Sequence, residues 1–307
     1  MRYMFTMMNN ARLSVGVEGL GLCEAAYQRA RRHARERQQG RAPGATGRSA
    51  IVDHADVRRM LLTMKASTEA LRALHYFDAR QIDLGHHHPD PEGRAAAAEL
   101  AGLLTPLSKG WGTDLANEIT SLAIQVFGGM GYVEETGVAQ LYRDARITAI
   151  YEGTNGIQAM DLVGRKLPMR GGGVVADLVA RMQATAEELA GGGEALAPIG
   201  AGLTDGLGVL QQATDWILAN AATDPVQALA AATPYLRLFS QVVGGWLLGV
   251  EALAATRSAA SLPAGFADAK VATARFFAAH ILPTVHGLLP TITAGKADLF
   301  ALAADEL

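Results

Sequence analysis

Apolar residues recur along most of this chain at three- and four-residue spacing, the period of helices that bury one face. From Met4 to about Gln38 they fall at Met4, Met8, Leu13, Val17, Leu20, Cys23, Ala26 and Tyr27. Gly40 to Ser49, rich in Gly, Pro and Arg, interrupts the pattern and predicts a loop. Ile51 to Leu84 restores it, with Val57, Met60, Leu61, Met64, Thr68, Leu71, Leu74, His75 and Ala79 on the repeating face. A third helix is predicted from about Arg94 to Phe127, bent at Pro106. A short helix over Val138 to Arg146 and another over Gly156 to Lys166 close the series. No stretch reads as successive alternating strands joined by hairpin turns.

Pro168 with Gly171, Gly172 and Gly173 is the clearest linker. Beyond it the helices become rich in Ala and Gly and poor in candidate catalytic groups, over about Val174–Ala190, Ile199–Ala222, Pro225–Ser258 and Phe266–Ala294. Trp246, beside Gly244 and Gly245, reads as a helix-packing anchor. The expected organisation is all-α: an up-and-down helical bundle over 1–167, a linker over 168–173 and a second helical domain over 174–307.

The 307 residues are half hydrophobic, enough for one large or two medium cores. A net charge of −3 with both signs intermixed gives neither a nucleic-acid footprint nor a polybasic membrane face. The apolar run Val242 to Val250, between Gln241 and Glu251, is too short to span a bilayer. One cysteine, Cys23, excludes an internal disulfide and fits a reducing, cytoplasmic setting. His86-His87-His88 reads as part of an interhelical loop: adjacent imidazoles do not converge on one ion, and no metal site is expected.

The chemistry concentrates between Gln125 and Gly164. Glu152 sits between Tyr151 and Gly153 at the end of an apolar run, Ile147, Ala149 and Ile150, where burial would raise its pKa towards that of a base. Gly153 leaves room for a ligand near the backbone, and Thr154 is placed to cap the following helix. The local pattern taken alone favours an ordinary first-turn glutamate followed by helix-entry residues. Earlier, Gln125-Val-Phe-Gly128-Gly129-Met-Gly131-Tyr132 forms a glycine-rich break whose amides can meet a phosphate or ribose.

These pieces, with Arg143-Asp144-Ala145-Arg146-Ile147 and Ile150-Tyr151-Glu152-Gly153-Thr154-Asn155-Gly156-Ile157-Gln158, closely resemble the C-terminal helical domain of the acyl-CoA dehydrogenases. The later part, through Pro234-Tyr235-Leu-Arg-Leu-Phe and Gly244-Gly245-Trp246-Leu-Leu, resembles the extra C-terminal domain of the branch that includes 3-methylmercaptopropionyl-CoA dehydrogenase. The resemblance implies α,β-desaturation of an acyl-CoA thioester, with Glu152 as the base and flavin adenine dinucleotide (FAD) as hydride acceptor. Some family members carry the base on the first helix, but this chain has Asn9-Asn10-Ala11-Arg12 there. The resemblance further assigns Arg37, Gln125, Gly128, Gly129 and Thr154 to FAD, and Arg12 and Gly153 to the substrate. Arg12 also reads as an ordinary bundle-surface arginine, and the aromatic-glycine pair that follows Arg37 in the family is missing. His54 stays outside this set as a polar first-turn residue.

A homodimer or dimer of dimers is implied, because the Gln125 and Gly128-Gly129 region would serve FAD held mainly by the neighbouring subunit. The implied electron acceptor is electron-transfer flavoprotein. The family's N-terminal helical and middle β domains have no counterpart in this sequence, so the chain is expected to be a fragment. Two other readings stay open: a non-catalytic helical oligomerisation module, and an acyl-CoA oxidase.

Overall fold

The computed structural model describes residues 2–307, with side chains from Met8 onward, so the predicted core position Met4 lies outside the described side chains. Among the described residues there is no strand; the nearest thing is a single antiparallel bridge between Gln38 and Ala50. Three long helices form the frame: α1 (Arg2–Glu36), α2 (Ala55–His87) and α3 (Pro91–Phe127). α1 lies along α3 because two glycines face it. A Cβ on Gly16 would stand 2.6 Å from the Ser108 carbonyl, and one on Gly19 would stand 2.8 Å from that of Gly112. Either substitution would force the helix axes apart.

α3 starts at Pro91, earlier than the sequence pattern implied. Asp90 caps it by accepting from the amides of Glu92 and Gly93, and proline is well suited to the first turn. The His86–His88 stretch is therefore the end of α2 rather than a long loop. The helix continues through Pro106, which is buried. It ends at Gly128, whose φ of 62° is a conformation that side chains resist. α4 (Val138–Thr148) and α5 (Asn155–Asp161) follow, the latter continuing into a π-helical turn over Leu162–Lys166.

The predicted linker is folded. Arg170 and Gly171 take left-handed backbone angles, and the Arg170 guanidinium bridges Glu99 at 2.8 Å and Asp177 at 2.7 Å. After it come α6 (Gly173–Ala190), α7 (Ala197–Ala221), α8 (Pro225–Ala230), α9 (Ala232–Arg257), α10 (Phe266–Phe276) and α11 (Val285–Ala294). Two of the predicted helices are divided. The first breaks at Ala231, and the second passes through a π-helical turn and a 3₁₀ turn containing Pro283.

α9 joins the two halves of the chain. One continuous set of buried side chains runs from Cys23 to Ile292, and α9 contributes Tyr235, Leu236, Phe239, Val242, Val243, Trp246 and others to it. A Cβ on Gly244 would come within 2.8 Å of the Trp111 ring on α3, so glycine permits this crossing. Trp246 anchors the neighbouring packing, as its sequence context predicted. Its indole donates to Thr185 at 2.9 Å and its ring meets Phe77 edge-on at 5.2 Å. Ala232–Arg257 and Phe266–Ala294 are long and apolar enough to cross a bilayer, where Val242–Val250 alone was too short. The first is 83% buried within the fold, the place of a core helix.

Candidate active site

Glu152 lies on the turn between α4 and α5, and its backbone is the unusual feature of the region. Its φ is 56°, followed by 86° at Gly153. A left-handed non-glycine residue costs about 1–3 kcal/mol and persists only where its surroundings impose it. Those surroundings grip the turn from both sides. Ahead of Glu152, the Tyr151 hydroxyl donates to Glu18 on α1, a bond that with partial burial raises the phenol to about 12. Behind it, the Thr154 side chain accepts from the Ile157 amide at 3.4 Å, the cap that the sequence predicted.

The strongest hold comes from Asn155, which sequence reasoning passed over as part of a motif. Its amide group donates to the Gly110 carbonyl, the Thr113 hydroxyl and the Asp114 carboxylate at 3.0, 2.9 and 2.7 Å. Its carbonyl oxygen accepts from Lys109 at 2.8 Å. Burial raises the Asp114 carboxyl, and the Asn155 bond partly offsets that. Gln158, fully buried, donates to the Gly153 carbonyl at 3.3 Å. A Cβ on Gly153 would stand 2.9 Å from that Gln158 amide nitrogen, so glycine fits both its backbone angle and its neighbour.

Arg12 reaches the same place from α1. It is 6% exposed and pairs with Asp161 at 3.3 Å, which excludes a surface role. Asp161 also binds Arg165 at 2.6 Å. Glu152, Gly153, Thr154 and Arg12 are thus brought to one end of the bundle, with Lys109, Asn155 and Gln158 beneath. One expectation is corrected: Glu152 is exposed, as are Ile147 and Ile150, so this chain alone does not bury the carboxylate. The apolar residues that promised a dry pocket point outward, beside exposed Ile157 and Met160.

The other four predicted site residues meet elsewhere. Arg37, Gln125, Gly128 and Gly129 line one cleft of about 650 Å³, with His33, Gly40, His54 and Phe127. The Gln38–Ala50 bridge closes the loop that forms one wall, and the Ile51 amide donating to the Arg37 carbonyl at 2.8 Å fixes the arginine's backbone. His54, left out on sequence grounds, belongs to this wall: its Nε2 lies 2.9 Å from the Gln39 carbonyl oxygen. His33 stacks on Phe127 at 4.1 Å, and burial followed by Arg37 lowers its pKa. The glycine turn is open: among the described residues, nothing beyond the chain neighbours comes within 4 Å of a Cβ placed on Gly128 or Gly129. A guanidinium, an amide side chain and an accessible glycine backbone suit part of an anionic dinucleotide.

The two groups are far apart. From Arg12 to Arg37, α1 rises about 37 Å at about 1.5 Å per residue. The structure therefore separates the predicted residues into two groups, a carboxylate turn at one end and an anion-suited cleft at the other.

Comparison with known proteins gives a consistent picture. Residues 1–167 match the family described as acyl-CoA dehydrogenase, C-terminal domain, and residues 178–303 match one described as acetyl-CoA dehydrogenase C-terminal like. The chain is 47% identical to a 3-methylmercaptopropionyl-CoA dehydrogenase of Ruegeria pomeroyi, over 92% of this chain and 48% of that protein. It is 35% identical to a butyryl-CoA dehydrogenase of Syntrophomonas wolfei, over 94% of this chain and 48% of the relative. Among solved structures, Caenorhabditis elegans ACDH-11 in complex with C11-CoA aligns with a TM-score of 0.76 at 20% identity, over 97% of this chain and 48% of its own. An acyl-CoA dehydrogenase of Bacillus anthracis complexed with FAD aligns with a TM-score of 0.73 at 20% identity, over 95% and 50%. The chain spans about half the length of these relatives.

Proposed function

Because this chain belongs to the acyl-CoA dehydrogenase family, we propose that it is the base-bearing half of an FAD-dependent enzyme that desaturates an acyl-CoA thioester between Cα and Cβ. The observation that carries the reading is the left-handed turn at Glu152, imposed by Glu18 on one side and Asn155 on the other. A fold that holds a carboxylate in a costly conformation, outward and between Arg12 and exposed apolar side chains, is arranged to present it to a ligand.

Glu152 takes the α-proton of the thioester onto a carboxylate oxygen. The Gly153 backbone lies against the thioester, and the Thr154 hydroxyl lines the flavin side while capping α5. Arg12, paired with Asp161, holds the floor of this turn. The covering that excludes water, and so strengthens the base, comes from substrate and from protein beyond these residues. FAD, when bound, accepts the hydride from Cβ.

Arg37, Gln125, Gly128 and Gly129 bind the adenosine and pyrophosphate end of FAD. Since their cleft stands at the far end of α1 from Glu152, we assign the two sites of one chain to two different flavins, which makes a dimer the smallest active unit. Electron-transfer flavoprotein is the proposed acceptor of the reducing equivalents.

The test is an anaerobic titration with butyryl-CoA of this chain joined to the N-terminal half of a matching dehydrogenase and supplied with FAD. Bleaching of the flavin band is expected. A completed protein that binds FAD and acyl-CoA yet never bleaches would refute the proposal.

A further inference from the structure

Lys109 is a buried charge with no ion-pair partner among the described residues. It sits in the middle of α3. Its one hydrogen-bond acceptor is the Asn155 side-chain oxygen, a neutral group, at 2.8 Å. An ammonium withdrawn from water without a counter-ion is strongly disfavoured, and the usual escapes are pairing or neutralisation. Burial does lower Lys109, to about 8, with Arg12 pushing the same way and Asp114 and Glu152 opposing.

The surroundings explain what this strained charge can act on. α1 supplies Arg12, whose own charge is matched by Asp161. α3 supplies Asp114, which is tied up by Asn155. From α9 comes no charge: Leu236 closes over Gly110, where a Cβ would lie 2.9 Å from its Cδ1, and Arg237 is engaged with Glu118 at 2.7 Å. The remaining anion is Glu152, three residues before Asn155 and free of any ion pair among the described residues.

We infer that Lys109 is a positioning residue for Glu152: its ammonium holds the Asn155 amide that anchors the turn, and its charge keeps the Glu152 carboxylate ionised when a ligand covers it. The two effects oppose the two difficulties of a covered base, which are conformational drift and protonation caused by lost hydration. α9 contributes indirectly, because Leu236 seals the Lys109 segment of α3 from that side. This inference rests on the assignment of Glu152 as the base.

Coupling between two titrating groups is reciprocal, so it is measurable in the 307-residue chain without cofactor. The lysine side chains are labelled with ¹³C at Cε and the Lys109 resonance, assigned by its loss in Lys109→Arg, is followed with pH. In Glu152→Gln, an exposed and conservative change, the Lys109 midpoint is expected to fall by about 0.3 units or more. An unchanged midpoint overturns the inference.

In the completed enzyme, Lys109→Met is expected to raise the acid-limb midpoint of the kcat/KM profile by about one unit, with Lys109→Arg restoring it. A profile that loses height without moving its midpoint marks a purely structural lysine and overturns the inference too. Should Lys109→Met fail to fold, the Glu152→Gln titration decides alone. Undiminished turnover in Glu152→Gln would instead sink the base assignment, a separate result from an uncoupled lysine.

Discussion

Asp78 and His75 give the bundle a pH dependence that a single substitution should expose. Both are buried on α2 near Ser108, whose hydroxyl donates to Asp78 at 2.7 Å and whose carbonyl oxygen lies 3.1 Å from the His75 Nε2. Among the described residues, one oxygen of Asp78 and the Nδ1 of His75 have no partner. Burial raises Asp78 from 3.8 to about 7 and lowers His75 from 6.5 to about 4. Between about pH 4 and 7 the folded chain keeps a proton on Asp78 that the unfolded chain has released. Stability from this group therefore falls as pH rises, by at most about 4 kcal/mol at about 1.36 kcal/mol per unit. His75 acts in the opposite sense. Between about pH 4 and 6.5 the unfolded chain binds a proton that the folded chain refuses, so its contribution rises with pH by up to about 3 kcal/mol. The two slopes nearly cancel in the native protein. Asp78→Asn keeps an acceptor for Ser108 and removes the first slope. Thermal unfolding midpoints of both proteins, measured from about pH 4.5 to 7.5, should run nearly level for the native chain and climb for the variant. The variant should be the more stable by about 2 kcal/mol or more at the upper end. Parallel curves, or a variant less stable at about pH 7.5, would refute the reasoning.

Three further outcomes follow from the packing and the two sites. Asn155→Ala removes four contacts of the anchor and strands the Lys109 ammonium, so a loss of about 3–5 kcal/mol in denaturant unfolding is expected, with greater mobility of the Glu152 turn by amide exchange. Gly244→Ala places a methyl 2.8 Å from the Trp111 ring and should cost about 1–3 kcal/mol, read as a lower thermal midpoint, where Gly208→Ala, with open space around it, should cost far less. Arg37→Ala in the completed enzyme should weaken FAD binding about tenfold or more by fluorescence titration while leaving α-proton chemistry at saturating FAD nearly intact.

The helices were legible because their period survives in the residues themselves. α1, α2 and α3 carry long apolar faces, and the breaks at Gly40 to Ser49 and after Phe127 are written in glycine and proline. The boundaries were less so. The start of α3 is predicted near Arg94 rather than Pro91 because an aspartate followed by proline is common to turns and helix starts alike. The division of α8 from α9 is marked by Pro234 in the first turn of α9, which has no N–H for the Ala230 carbonyl, but the apolar period runs on across it and hid the break.

Within the site, the motif drew attention to Glu152, Gly153 and Thr154, while Asn155 and Lys109 stayed hidden. Their importance lies in contacts across about 45 residues of sequence, which no local period records. A signal did exist: a lysine amid Leu107, Gly110 and Trp111 on an apolar helix face is a buried charge in search of a partner. The apolar run before Glu152 misled in the other direction. Ile147 and Ile150 read as walls of a pocket, but α4 buries Leu141, Ala145 and Thr148 instead and leaves Ile147, and Ile150 just after it, exposed.

The central claim is that the Glu152 carboxylate removes a proton from carbon. Its most direct measurement is the rate of flavin bleaching by butyryl-CoA in rapid mixing, for the completed enzyme and for its Glu152→Gln variant at saturating substrate. Loss of a general base predicts a fall of about 10²–10⁴-fold with substrate binding retained; a rate within about threefold of the parent would contradict the account.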